Sequence, residues 1–306
     1  MPATSFVETR EYRKFAEFCE DCRRYRYIGL CYGPPGVGKT LSARHYTKWK
    51  KLESRRRSDS RQKGVDAHSV FHTVPVSNSP RQIELDLMNA REHLRYVSSA
   101  MRKLEKEMDR KLEKARQQEK ESRPQLDENR DWLERSESIF SAQPTVGQLT
   151  VERSRRIDAI KDPTRLIIVD EADRLRINSM EQVRSVFDQG DIGLILIGMP
   201  GLEKRLARYP QLYSRVGFVH EFRTLQKTEI VELLTRDWRP RGIPCSSEPW
   251  ADDEGIAAII RVTGGNFRLL DRLFGQIERV LKINKLDKVT SEVVDAARES
   301  LVIGVE

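Results

Sequence analysis

The chain has 306 residues, a formal charge of +8, and 33% of its residues charged. That length supports one large domain or two moderate ones, and no stretch approaches the roughly 20 apolar residues of a membrane span, which argues against a membrane-embedded role. Four cysteines are too few for a disulfide framework, and MPATSFVETR lacks the apolar segment of a signal peptide, so a cytoplasmic protein is expected.

In chain order, EYRKFAEFCEDCRRY predicts a helix, with Phe15, Phe18 and Cys22 at helical spacing. Its CxxC, Cys19 and Cys22, has no second ligand pair at zinc spacing and fits a helix face better than a metal site. YIGLCYG reads as a strand, GPPGVGKT at 33–40 as a glycine loop, and TLSARHYTKW as the helix that follows. KWKKLESRRRSDSRQKG is basic and almost devoid of apolar residues; SVFHTVPVSN alternates like a strand, with Pro75 marking an edge or irregular position. From 81 to 135, Leu87, Leu94, Val97, Met101, Leu104, Met108 and Leu112 recur by sevens, threes and fours among charged residues. This predicts one long amphipathic helix with a coiled-coil-like seam, broken at Pro124 and covered by a return through Trp132, Leu133, Ile139 and Phe140.

TRLIIVDEADRL predicts a buried strand ending in acidic residues, SMEQVRSVFDQ a short helix, and IGLILIGMPGL another buried strand. A broken helix, RLARYPQLYSRVG, precedes the short strand FVHEFRTL, and beyond about residue 225 only amphipathic helices follow. The expected fold is α/β, a parallel sheet sandwiched by helices in a core over 1–224, with a charged helical insertion at 81–160 and a helical lid at 225–306.

Chemistry concentrates in two places. Gly33, Pro34, Pro35, Gly36, Val37, Gly38, Lys39 and Thr40 form a full Walker A pattern. Its glycines let backbone amides curl around phosphates, Lys39 brings charge to the terminal phosphates, and the Thr40 hydroxyl is placed to reach Mg²⁺; Leu41 follows in the helix. Asp170 at a strand end is suited to hold the hydrated Mg²⁺, and Glu171 to orient or deprotonate an attacking water. An acidic pair after a strand also fits a plain helix start, but the two motifs together point to NTP binding and hydrolysis.

These segments, with Ser214-Arg215-Val216 and Gly264-Gly265-Asn266-Phe267-Arg268 opening a lid helix, resemble the AAA+ ATPases. More narrowly, YIGLCYGPPGVGKT, LIIVDEADRL and LILIGMPGLEKRL look like the transposition ATPases of the TnsC, TniB and MuB type, over roughly 5–50 and 160–280. The resemblance implies that Arg215 is an arginine finger reaching a neighbouring subunit's nucleotide, with Arg205 and Arg208 as nearby competitors and a helix-capping surface cation as the plainer reading. It implies that Arg268 is the lid arginine touching the nucleotide, and Phe6, Val7 and Ile28 are candidates for an adenine pocket. Where many relatives carry a polar residue that positions water, this chain has Met199-Pro200, so slow or activator-dependent hydrolysis is expected.

Lys48, Lys50, Lys51, Arg55, Arg56 and Arg57 head a basic run that supplies contacts to several phosphates. No zinc finger, aromatic-basic repeat or helix-turn-helix accompanies it, so non-specific double-stranded DNA is the expected partner; a basic loop with no dedicated partner fits as well. The first reading is a homo-oligomer, ring or helical filament, that assembles on DNA with ATP and recruits a transposase. A helicase loader or replication initiator, and a signalling or defence ATPase that ignores DNA, are the alternatives.

Overall fold

Thr9 opens the first helix by accepting the Tyr12 amide on its hydroxyl, and Arg26 ends it in the left-handed region. This helix, α1 (Arg10–Tyr25), buries Phe15, Phe18, Cys19 and Cys22 and leads into β1 (Ile28–Tyr32). The structure, a computed structural model, describes residues 6–55, 63–121, 144–234 and 250–301.

Four further strands, β2 (Ser69–Thr73), β3 (Leu166–Asp170), β4 (Gly193–Gly198) and β5 (Val216–Glu221), complete one sheet in the order β2-β3-β4-β1-β5. The β3–β4, β4–β1 and β1–β5 pairs are parallel. Every residue of β3 and β4 is buried, as continuous apolar runs covered on both faces require, whereas β5 alternates half-buried and exposed positions at the sheet's edge. Between the strands run α2 (Lys39–Tyr46), α7 (Ile177–Gln189), and the short α8 (Leu202–Leu206) and α9 (Pro210–Tyr213).

The chain divides into two compact units, one of Met1–Thr47, Phe71–Leu85 and Arg165–Glu306, the other of Lys48–Val70 and Asp86–Thr164. The first contains the sheet's β1, β3, β4 and β5 and the C-terminal helices α10 (Lys227–Glu232), α11 (Asp253–Thr263), α12 (Phe267–Asn284) and α13 (Ser291–Glu299). These helices share a core of their own, including Ile259, Leu270, Leu273, Ile277, Leu281 and Val294, all fully buried.

The second unit contains α3 (Trp49–Glu53), most of α4 (Pro80–Val97), α5 (Ser99–Glu121) and α6 (Val146–Asp158). All seven seam residues are buried. The single helix expected there is two, because Ser98 leaves the helical path to form a bridge with Val65; its hydroxyl donates to the Arg95 carbonyl at 2.7 Å and accepts the Met101 amide at 3.2 Å. That hydroxyl caps the start of α5. Pro124, Trp132, Leu133, Ile139 and Phe140 lie outside the described residues. Among the described residues α6 packs on the seam, its Leu149 joining Leu104, Met108, Leu112 and Ala115. A Thr145–Gln148 capping box starts α6, and Arg95 donates to the carbonyls of Ile157, Asp158 and Ile160 at its end. A cation there complements the helix dipole as well as the unpaired carbonyls. Among the described residues no helix is long and apolar enough to cross a membrane.

Candidate functional site

Parallel strands bring their carboxyl ends to one edge of the sheet, and the register here aligns Tyr32 with Gly198 on one side and Glu221 on the other. The loop that leaves β1 therefore starts beside the ends of β4 and β5. Gly33 is buried so tightly that a Cβ on it would stand 2.2 Å from the Phe222 carbonyl oxygen. Gly36 and Gly38 have φ of 82° and 108°, conformations that curl successive amides into a concave anion cradle. Pro34 and Pro35 are exposed, Val37 is buried, and Leu41 is 60% exposed on the outer side of α2.

Lys39 turns back into the loop, its Nζ donating to the carbonyls of Gly33 at 2.6 Å and Pro34 at 2.8 Å. Burial lowers its pKa, against the pull of Cys31, Asp170 and Glu171 nearby. Thr40 Oγ1 donates to Asp170 Oδ2 at 2.7 Å, and Asp170 Oδ1 accepts the Glu171 amide at 3.0 Å. Asp170 is itself pushed up by burial, opposed by those two hydrogen bonds. Sequence positions 40 and 170 thus converge on one point, a hydroxyl and a carboxylate oxygen that suit a hard divalent cation such as Mg²⁺. A buried ammonium and a buried carboxylate within electrostatic reach of each other are both short of solvation, which an incoming phosphate with its metal would supply.

Glu171 has φ 57° and ψ 38°, left-handed values that cost a non-glycine residue about 1–2 kcal/mol. Its side chain lies 3.5 Å from the Arg174 guanidinium, which also donates to the Val74 carbonyl at 3.2 Å. Asp173, two residues on, accepts the Met199 amide at 3.2 Å, so the end of β4 is tied to the turn after β3 through the backbone of Met199 rather than a polar side chain there. Neither Arg174 nor Asp173 stood out in the sequence; both lie within the DEADR stretch, where the signal was their offset of two and three from Glu171.

The lid helix α12 meets the loop directly. Asn266 Oδ1 accepts the amides of Arg268 and Leu269, capping α12, while its Nδ2 donates to the Pro35 carbonyl at 2.8 Å. The Arg268 amide also donates to Gly36 at 3.2 Å, and the Arg268 side chain is exposed. A Cβ on Gly36 would lie 2.4 Å from Asn266 Oδ1 and 2.9 Å from Arg268 Cβ. Phe6 stacks on His45 of α2 at 3.8 Å, and Val7 packs against the lid core. Ile28, by contrast, is wholly buried at the opposite end of β1, about 13 Å of strand from Tyr32, and cannot line a pocket at the loop.

Arg215 also stands at that opposite end, where its carbonyl accepts the Ile28 amide at 3.0 Å. Its Nε donates to Asp188 Oδ1 at 2.6 Å and its Nη2 to Asp188 Oδ2 at 3.1 Å. Arg205 is spent on the carbonyls of Asp173 and Leu175, whereas Arg208 is exposed. In the basic run, Lys48 is exposed but donates to the Asp66 carbonyl at 2.8 Å; Lys50 and Lys51 are exposed on α3, and Arg55 is half-buried. Arg56 and Arg57 lie outside the described residues. Cys19, Cys22 and Cys31 are buried free thiols, and no group of three or more His, Cys, Asp or Glu among the described residues is placed to hold a metal ion.

A glycine loop between β1 and α2, with an acidic pair ending another strand of the same parallel sheet, defines a P-loop protein of the α/β class. Within that class the AAA domain family matches residues 22–206, and the chain belongs to it. A Staphylococcus aureus protein described as a potential ATP-binding protein is 39% identical over 309 residues, covering 98% of both chains. The fold is similar to the Thermotoga maritima RuvB Holliday junction branch migration motor, with TM-score 0.51 and 15% identity over 98% of this chain and 71% of that one. It is likewise similar to the Aeropyrum pernix ORC1 protein in complex with DNA, with TM-score 0.51 and 16% identity over 96% and 65%. At these identities the last two likenesses are likenesses of fold.

Proposed function

We propose that this chain is a cytoplasmic ATPase that assembles as a homo-oligomer on double-stranded DNA and regulates transposition, marking a target and recruiting a transposase, with hydrolysis dismantling the assembly. The observation that carries the catalytic half is the convergence of Thr40 and Asp170 beneath the Gly36–Gly38 cradle, with Glu171 at the same strand end. Gly33 to Thr40, with Leu41 behind them, hold the phosphates, and Lys39 exchanges its two loop carbonyls for phosphate oxygens. Mg²⁺, held by Thr40 and by Asp170 through water, would neutralise charge on the phosphates. Glu171 orients the water and takes its proton; Arg268, on the helix that Asn266 ties to the loop, reaches the nucleotide from the lid.

Arg215 acts in trans. Standing at the other end of the sheet from the loop of its own chain, it serves the phosphates of a neighbouring copy, which makes the complete site a property of the oligomer. The DNA half rests on the basic run, with Lys48, Lys50, Lys51, Arg55, Arg56 and Arg57 contacting phosphates and no base-reading element beside them. The transposition reading rests on the likeness of the three quoted segments to the TnsC, TniB and MuB type.

The test is fluorescence anisotropy on a long random-sequence duplex, with negative-stain imaging, using no nucleotide, ADP and a non-hydrolysable ATP analogue. Lys39→Ala should abolish ATP-dependent DNA binding, and Glu171→Gln should bind and fail to disassemble. A folded, ATP-loaded Glu171→Gln chain that does not bind DNA refutes the switch. The fold likeness to ORC1 favours a second reading, a replication-initiator or helicase-loader ATPase; retrieval of a replicative helicase in a pull-down, in place of a transposase, would select it.

A further inference from the structure

We propose that Asp188 is a positioning residue for Arg215, holding its guanidinium as a fixed fork for the phosphates of a second copy of this chain. The inference rests on the trans reading of Arg215 given above. Asp188 lies in the last turn of α7, the helix that begins just after the Glu171 turn, and both its oxygens are engaged by Arg215, at 2.6 Å and 3.1 Å. Arg215 Nη1 donates to the Gln211 carbonyl.

A guanidinium has five N–H bonds in a rigid plane. The Asp188 pair takes the side edge formed by Nε and Nη2, and Gln211 takes one Nη1 proton. What remains is one N–H on each Nη, two donors for phosphate oxygens. The side chain is 34% exposed, which leaves part of it accessible to an incoming partner.

Asp188 does not set this geometry alone. Arg184 Nη1 donates to Asp188 Oδ2 at 2.8 Å, and Arg184 Nε donates to Glu181 Oε2 at 2.7 Å. Two carboxylates and two guanidiniums therefore form a chain along α7 that ends on Arg215. An unrestrained arginine gives up rotamer entropy when it docks; a fork already fixed on two edges gives up much less. The expected effect of removing Asp188 is a turnover about 5- to 10-fold lower, with KM for ATP within about twofold.

The experiment is a mixed-chain ATPase assay on the full chain. As a control, Arg215→Ala and Glu171→Gln, each inactive alone, should regain activity when mixed, because one supplies the site and the other the arginine. Asp188→Ala should then be restored by Glu171→Gln, which carries an intact Asp188–Arg215 pair, and not by Arg215→Ala. Asp188→Glu should recover part of the lost turnover. A control mixture that stays inactive overturns the trans reading and this inference with it. With a working control, an Asp188→Ala chain of unchanged turnover, or one that Glu171→Gln does not restore, overturns the role of Asp188 alone. Should Asp188→Ala fold poorly, Asp188→Asn keeps the shape, removes the charge, and takes its place in the same mixtures.

Discussion

Asn266 is one side chain with two separable jobs, and that makes it a sharp test of how the lid helix is tied to the phosphate loop. Its Oδ1 caps α12 through the amides of Arg268 and Leu269, and its Nδ2 reaches the Pro35 carbonyl. Loss of an N-cap costs about 1 kcal/mol. Loss of one largely exposed neutral hydrogen bond costs about 0.5–1 kcal/mol. Asn266→Ala removes both and should destabilise the chain by about 2 kcal/mol; Asn266→Asp keeps the capping oxygen, loses the donor, and should cost about 1 kcal/mol or less, since a carboxylate is welcome at a helix N-terminus. In urea, with a slope near 3 kcal/mol per molar for a chain of this size, the alanine variant should lower the midpoint by about 0.7 M and the aspartate variant by half of that. Nucleotide affinity should fall in the reverse order, because the added negative charge lies against the loop that cradles phosphate. If the two variants lose equal stability, the capping argument fails; if the alanine variant loses less than about 0.5 kcal/mol, the clasp contributes nothing and the lid is held by its apolar contacts alone.

Two further outcomes follow from buried side chains. Met108 is fully buried between α5 and α6, so Met108→Ala should leave a cavity costing about 2–4 kcal/mol, with amide exchange in α6 accelerated first; a loss under 1 kcal/mol would mean that α6 does not depend on the seam. His220 sits among Phe15, Phe18 and Phe222, where burial holds its pKa down to about 4. The unfolded chain takes up that proton near pH 6.5, so stability should fall as pH drops through this window, by about 2 kcal/mol after allowance for solvent screening. Glu11, 3.2 Å away and raised by its own burial, works in the opposite sense. His220→Phe should flatten the acid side of the urea-midpoint profile between pH 7 and 4.5, and an unchanged slope would refute the assignment.

The strand-loop-helix at 28–46 and the buried strands ending at Asp170 and Gly198 were legible because each is a local pattern: a run of apolar residues, then glycines or acids with fixed backbone jobs. The meeting of Thr40 with Asp170 was readable too, since the two motifs are chemically complementary. Less legible was the break at Ser98, because the hydrophobic repeat passes through it without interruption and only the bridge to Val65 forces the chain out of helix. Helix α6 is less legible for the opposite reason: Leu149 is its one buried apolar residue among arginines, and the Arg95 cap and capping box that fix its ends leave no periodic signal. Long-range polar partners such as Asp188 for Arg215 and Asp173 for the Met199 amide leave no periodic trace at all. They are set by the strand order, which propensity does not encode.

The sheet's polarity has a countable consequence under the trans reading of Arg215. With the phosphate loop at one end of β1 and Arg215 at the other, each copy gives an arginine through one face and receives one through a different face, a head-to-tail contact. An open run of n copies then holds n − 1 completed sites, and a closed ring holds n. Two copies share a single working site, and turnover per chain should climb with assembly length as (n − 1)/n. The dependence of specific activity on protein concentration would therefore report how the assembly ends.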